Sequence, residues 1–241
     1  MEIKTRDDTI LENIYWEMNR MNPDIEIKKF CSELEVSVDD VETKLREIDS
    51  VHSQRYFSDG QLRGFYFAAV SFVLKDIKNV LEIGAGCGKT VNHLSILFPS
   101  SLIYTVDIPS SDENYEKFAT RTLTDSNAEI FKKNIDRPNI VFIEKNSFFL
   151  SSLGLPKEFD LIWVDGNHCF PAVAWDIAFA YSHLKEDGFL FMDDYGKKDS
   201  RETIDYIKKR INETIQMLPP SRAIPQIGTI AWLKKGKAKK G

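Results

Sequence analysis

The spacing of apolar positions divides the chain near residue 60. Before that point apolar residues recur at helical intervals among many charges. Ile10, Leu11, Ile14, Tyr15 and Met18 predict an amphipathic helix over 7–20. Ile27 to Leu34 predicts a second helix, Glu35-Val36-Ser37 a turn, and Val38 to Leu45 a third helix with Ser37 as its N-cap. The last two make a helix-turn-helix outline. Asp39, Asp40, Glu42 and Glu47 against Lys44 and Arg46 leave its second helix too acidic for a phosphate-lined groove. Segment 1–60 is therefore expected to be a lid or a dimerisation element, and a homodimer is one expected assembly.

After residue 60 strand-like apolar runs alternate with helical stretches. The strands are Asn79–Ile83, Leu102–Val106, Ile140–Ile143, Asp160–Val164, Phe189–Met192 and Thr229–Leu233. The helical stretches are Thr90–Leu97, Tyr115–Asn134, Ala172–Leu184 and Ser200–Met217. Such alternation predicts an α/β fold with a doubly wound, mainly parallel sheet over 61–233, followed by a basic, flexible tail over 234–241. Sheets of this kind hold ligands outside the carboxyl ends of their strands, so the chemistry should follow the strands.

Composition narrows the classes. The 241 residues suit one large α/β domain with an appendage. Thirty-two Lys and Arg against 37 Asp and Glu give a net charge of −5, so no global positive field attracts nucleic acid. The longest apolar run, Phe65 to Leu74, is about half of a membrane span. The start, MEIKTRDDT, has no hydrophobic signal region. Cys31, Cys87 and Cys169 cannot all pair and lack metal-type spacing. A cytoplasmic protein acting without membrane or nucleic acid is the expectation.

The first strand runs into Glu82-Ile-Gly84-Ala85-Gly86-Cys-Gly88-Lys-Thr90. A dinucleotide fingerprint would need glycine where Lys89 stands. A Walker A loop would need its first glycine at Ile83, inside the strand, so the loop is one residue short, although Gly88-Lys89-Thr90 and Asp165 keep a P-loop-like NTPase among the alternatives. The remaining pattern, E-x-G-x-G-x-G, resembles motif I of the class I S-adenosylmethionine-dependent methyltransferases. The second strand ends in Asp107, followed by Ile108, 19 residues past Gly88, where a carboxylate can accept both ribose hydroxyls of a nucleoside. After the third strand, Ser147 stands where members of that superfamily contact the adenine. S-adenosyl-L-methionine is thus the expected cofactor, on Glu82, Gly84, Ala85, Gly86, Gly88, Asp107, Ile108 and Ser147.

Two further strands end in acids. The fourth gives Val164-Asp165-Gly-Asn167-His168 and the fifth Met192-Asp193-Asp194-Tyr195-Gly196. On neighbouring strands, about 4.8 Å apart, these acids converge. Three carboxylates without cationic partners repel one another, and a hard divalent cation resolves that. The turn and helix-cap readings of Asp165-Gly166 and Asp194 compete with this.

The stretch V-D-G-N-H…D-I…L-K-E-D-G-F-L-F-M-D-D-Y-G…R-E-T-I-D-Y resembles the metal-dependent sugar O-methyltransferases of the macrocin and aminocoumarin-antibiotic type, over about residues 60–233. The resemblance implies a Rossmann-like seven-stranded sheet with an N-terminal helical extension. It also implies Mg2+ or Mn2+ on Asp165, Asp193 and Asp194, and a hydroxyl acceptor, a sugar or nucleotide-linked sugar. A catechol offers the same chelate geometry. One departure stands out: those enzymes carry an acid as general base where this chain has Asn167. His168 is adjacent, and imidazole suits proton abstraction at neutral pH, which makes His168 and Asp165 the catalytic candidates. A nucleoside-sensing DNA-binding regulator and a hydroxylase-like relative of the same sheet remain as rivals.

Overall fold

A computed structural model of the chain describes residues 21–52, 62–109, 111–112, 125–219 and 229–237. The helix expected over 7–20, the first part of the 115–134 helix and the end of the tail fall outside those residues. The described elements are α1 (Pro23–Glu33), α2 (Val38–His52), α3 (Arg63–Val73), β1 (Asn79–Ile83), α4 (Lys89–Leu97), β2 (Leu102–Asp107), α5 (Asp125–Ile135) and β3 (Ile140–Glu144). A 3-10 helix (Ser147–Ser152) follows, then β4 (Phe159–Val164), α6 (Ala172–His183), β5 (Leu184–Met192), α7 (Lys198–Lys208), β6 (Gln216–Leu218) and β7 (Ile230–Lys234).

The seven strands form one sheet in the order β3-β2-β1-β4-β5-β7-β6. The first five are parallel; β7 runs antiparallel to both β5 and β6. Strand order reverses between β1 and β4, and at such a switch point the two crossovers leave on opposite faces, opening a crevice at the carboxyl ends. The strands of this central region read as unbroken apolar runs because both faces are covered. On one side Val80, Leu161, Trp163 and Phe191 pack with α1–α4; on the other Leu81, Ile162, Val164 and Leu190 pack with α6 and α7.

Two elements differ from the expectation. The stretch Ser200–Met217 is helical only to Lys208, and Gln216–Leu218 pairs with β7 as an edge strand. Three residues carry too little alternation to announce a strand. The run Phe65–Leu74 belongs to α3, whose residues Gly64 to Ser71 are all buried. A helix covered all round has no polar stripe to mark its period.

The helix pair α1–α2 is built as its sequence indicates. Asn22 caps α1 by accepting the Asp24 and Ile25 N–H groups, and Ser37 Oγ accepts the Asp40 N–H. Glu35 makes the turn at φ 56°. The apolar faces of the pair join the sheet's own core: Ile27, Phe30, Val41 and Leu45 lie in one cluster with Trp163 and Trp232. Phe30 meets Trp232 and Tyr66 edge-on at 4.9 and 5.1 Å between ring centroids.

Candidate active site

Parallel pairing aligns the carboxyl ends of the strands. Lys145 N–H donates to the Asp107 carbonyl, Gly84 N–H to Val106, Asp165 N–H to Ile83 and Asp193 N–H to Val164, all at 2.8–2.9 Å. Each strand thus hands its first following residue to the strand beside it. The candidates after β1, β2, β4 and β5 are brought to one rim by the backbone alone.

The glycine turn has positive φ at Gly84 (97°), Gly86 (57°) and Gly88 (73°). Two of these are demanded by the chain's own packing. A Cβ on Gly84 would stand 2.1 Å from the Asp165 carbonyl oxygen, and one on Gly88 would press on Asn134, Phe131 and Ile135 of α5. Asp107 fixes the turn: Oδ2 accepts the Gly86 N–H at 2.9 Å and Oδ1 the Ile108 N–H at 2.8 Å. Below the turn Glu82 is fully buried. One of its oxygens accepts the Thr105 hydroxyl; the other, Oε1, is buried without a partner. Burial raises the Glu82 carboxyl well above the usual range.

The acids after β4 and β5 gather around His168. Its Nε2 lies 3.2 Å from Asp194 Oδ2 and 3.5 Å from Asp165 Oδ1. Asp194 adopts φ 55°, a conformation that aspartate tolerates. Burial, and then the charges of Asp165 and Asp194, push the Asp193 carboxyl well above its ordinary range.

The expectation of uncompensated carboxylates does not hold. Arg63 Nη1 pairs with Asp165 Oδ2 at 3.2 Å, and Lys197 Nζ pairs with Asp194 Oδ2 at 2.5 Å. The donor chemistry of Asp165, Asp193 and Asp194 suits Mg2+ or Mn2+, but their arrangement does not. Among the described residues no three acid, His or Cys side chains are grouped to hold an ion. The protein's own cations and the elevated Asp193 carboxyl balance the charge that the ion was expected to balance.

Sequence reasoning did not anticipate Arg63, Lys197 or Asp176. Arg63 is 102 residues from its partner, and nothing local signals the pair. Lys197 could have been suspected, standing three residues after Asp194 on a turn closed by its N–H to the Asp194 carbonyl. Asp176 of α6 is buried beneath Gly166, where a Cβ would come within 3.0 Å of its Oδ2. Burial raises its carboxyl to about 7, offset in part by the Ser147 hydroxyl and the His168 charge. Ser147 opens the 3-10 helix, and its carbonyl accepts the Trp175 indole N–H at 3.0 Å. Ser147 is thereby tied to α6, next to the β4 rim.

Strand order and pairing define a Rossmann-like α/β fold with a seven-stranded, mostly parallel sheet, the fold seen in methyltransferases. Residues 81–195, from β1 through Tyr195, match the family model described as a methyltransferase domain. A candidate O-methyltransferase from Klebsiella pneumoniae superposes with a TM-score of 0.55 at 16% identity, covering 82% of this chain and 90% of that one. A candidate caffeoyl-CoA O-methyltransferase from Staphylococcus aureus gives 0.50 at 16% identity, covering 80% and 91%. The CurJ carbon methyltransferase gives 0.50 at 16%, covering 72% of this chain and 53% of that one. No curated protein matches significantly. The matched residues are similar to a methyltransferase domain. The structural neighbours share the fold, and since they are named for both oxygen and carbon methylation, the fold does not specify the acceptor.

Proposed function

We propose that the chain is an S-adenosylmethionine-dependent O-methyltransferase acting on a hydroxyl of a small molecule, a sugar or nucleotide-linked sugar. The observation that carries this reading is the joining, at one switch point, of an Asp107-anchored glycine turn to a histidine flanked by two carboxylates.

The turn fits the cofactor. Its side chains carry no charge before Lys89, and directly below it Glu82 Oε1 is a buried polar atom without a partner among the described residues. Asp107, at the end of β2 beside the turn, would take the ribose hydroxyls, and Ser147 would border the adenine. When bound, S-adenosylmethionine supplies an electrophilic methyl group.

The chain's own part is to place a hydroxyl and take its proton. His168 is the base. A proton accepted on Nε2 would lie between Asp194 Oδ2 and Asp165 Oδ1, which stabilise the resulting charge. Arg63 and Lys197 hold those carboxylates in place from outside. Positioning accounts for much of the rate of such a transfer, since a fixed nucleophile avoids the entropy of encounter.

A second reading, transfer assisted by a divalent cation, rests on the donor chemistry of Asp165, Asp193 and Asp194 at neighbouring strand ends. Transfer of labelled methyl to a panel of sugars and nucleotide sugars, with EDTA or with Mg2+, separates the two. Turnover unaffected by EDTA is expected. Turnover abolished by EDTA and restored by Mg2+ would establish the second reading, and no turnover of any hydroxyl acceptor would count against both.

A further inference from the structure

Polar groups that the proposed reaction leaves unused lie at the first turn of α7. Arg201 is 6% exposed, yet among the described residues its guanidinium donates one hydrogen bond, a long one of 3.5 Å to the Gly196 carbonyl. Helical spacing offers Asp205, four residues on, as an ion-pair partner. Asp205 instead accepts the Tyr195 hydroxyl at 2.9 Å. A buried guanidinium without an anion is costly, because desolvation is not repaid by pairing.

Two further observations lie in the same place. The Ser200 hydroxyl is fully buried and has no partner among the described residues, and at the third position of α7 its side chain leans toward the helix N-terminus. The first turn has no side-chain cap, since Lys197 stands at the N-cap position. Free backbone N–H groups at that end add partial positive charge. Thr229, whose carbonyl accepts the Tyr195 N–H, brings a second buried hydroxyl without a partner to the same corner.

We propose that Arg201, Ser200 and the N-terminus of α7 form an oxyanion subsite that receives a carboxylate or phosphate carried by the acceptor. The planar fork of arginine matches either group with two parallel hydrogen bonds, and a helix N-terminus with a free hydroxyl supplies further donors. The position is right for an acceptor: Gly196, which Arg201 touches, is two residues past Asp194. Of the acids nearby, Asp165 is paired with Arg63 and Asp194 with Lys197, while Asp199 in the same turn accepts the Phe170 N–H and Asp205 the Tyr195 hydroxyl. The proposal rests on the methyltransferase reading and narrows it, from any hydroxyl acceptor to one bearing an anionic group beside the methylated hydroxyl.

The test is titration of inorganic phosphate, and separately of acetate, into the full chain saturated with S-adenosylhomocysteine, for the parent, Arg201→Gln, Arg201→Lys and Ser200→Ala. The parent is expected to bind one of the two anions. Arg201→Gln should weaken that binding at least tenfold, Arg201→Lys and Ser200→Ala less, with S-adenosylhomocysteine affinity unchanged throughout as the check on folding. Preference for phosphate or for acetate assigns the acceptor's group. Equal binding by parent and Arg201→Gln, or no binding of either anion by the parent, overturns the subsite. Failure of S-adenosylhomocysteine to bind the parent overturns the methyltransferase reading instead, and the anion titration then decides the subsite without it.

Discussion

His168 stands between Asp165 and Asp194, within reach of both, and no other imidazole lies among the acids at this rim in the described residues. If it takes the acceptor's proton, His168→Ala should lower the rate of methyl transfer by about 10²–10⁴-fold, the usual range for a general base. Cofactor affinity should stay the same. Equal loss of cofactor binding would place His168 in the architecture of the rim rather than in the chemistry. Gly84 makes the opposite kind of demand. Alanine there must adopt a left-handed φ and put its Cβ into the Asp165 carbonyl, so Gly84→Ala should cost more than about 3 kcal/mol in a urea melt. Asp176 governs pH dependence. Its carboxyl is raised to about 7 from 3.8, so between those values the folded chain keeps a proton that the unfolded chain has released. That contribution falls as pH rises from about 4 to 7 and is level above. Asp176→Asn removes it, and the stability gap between variant and parent should move in the variant's favour by about 2–3 kcal/mol from pH 5 to pH 8. A gap that does not change with pH would contradict the raised carboxyl of the buried Asp176.

At the scale of elements, the glycine turn and the β2 end act as one unit through the Asp107–Gly86 bond. Cys87 sits in that turn half-buried, Cys169 is exposed, and Cys31 is buried with its thiol pushed up to about 11. Alkylation should therefore label Cys169 first and Cys31 last, with S-adenosylhomocysteine slowing the labelling of Cys87 alone. Protection of Cys169 but not Cys87 would put the cofactor elsewhere. These parallel strands were legible because strands covered on both faces read as plain apolar runs, and each motif follows such a run. The Ser37 cap and the Glu35 turn were legible for local reasons too. What the sequence hid is non-local or patternless. Arg63 reaches Asp165 across 102 positions, α3 shows no polar stripe, and β6 is three residues long. The expectation of carboxylates without cationic partners failed for the same reason, since Arg63 could not be seen beside Asp165.

For the molecule as a whole, α1 and α2 are not a separate layer. Phe30 is 1% exposed and packs on Tyr66 and Trp232, joining the helix pair to the sheet. Phe30→Ala should cost about 3–5 kcal/mol and leave a single cooperative transition. Two separate transitions would show that the pair folds on its own. With one core on each face, the sheet holds the switch point rigid, and the glycine turn and acid rim open from its carboxyl edge. The central claim is that this edge binds a methyl donor on the turn that Asp107 anchors. Calorimetric titration of S-adenosylmethionine into the parent chain and into Asp107→Ala tests it most directly. One site of micromolar affinity in the parent, weakened at least tenfold in the variant, is the predicted result; no binding by the parent, or equal binding by both, would contradict the account.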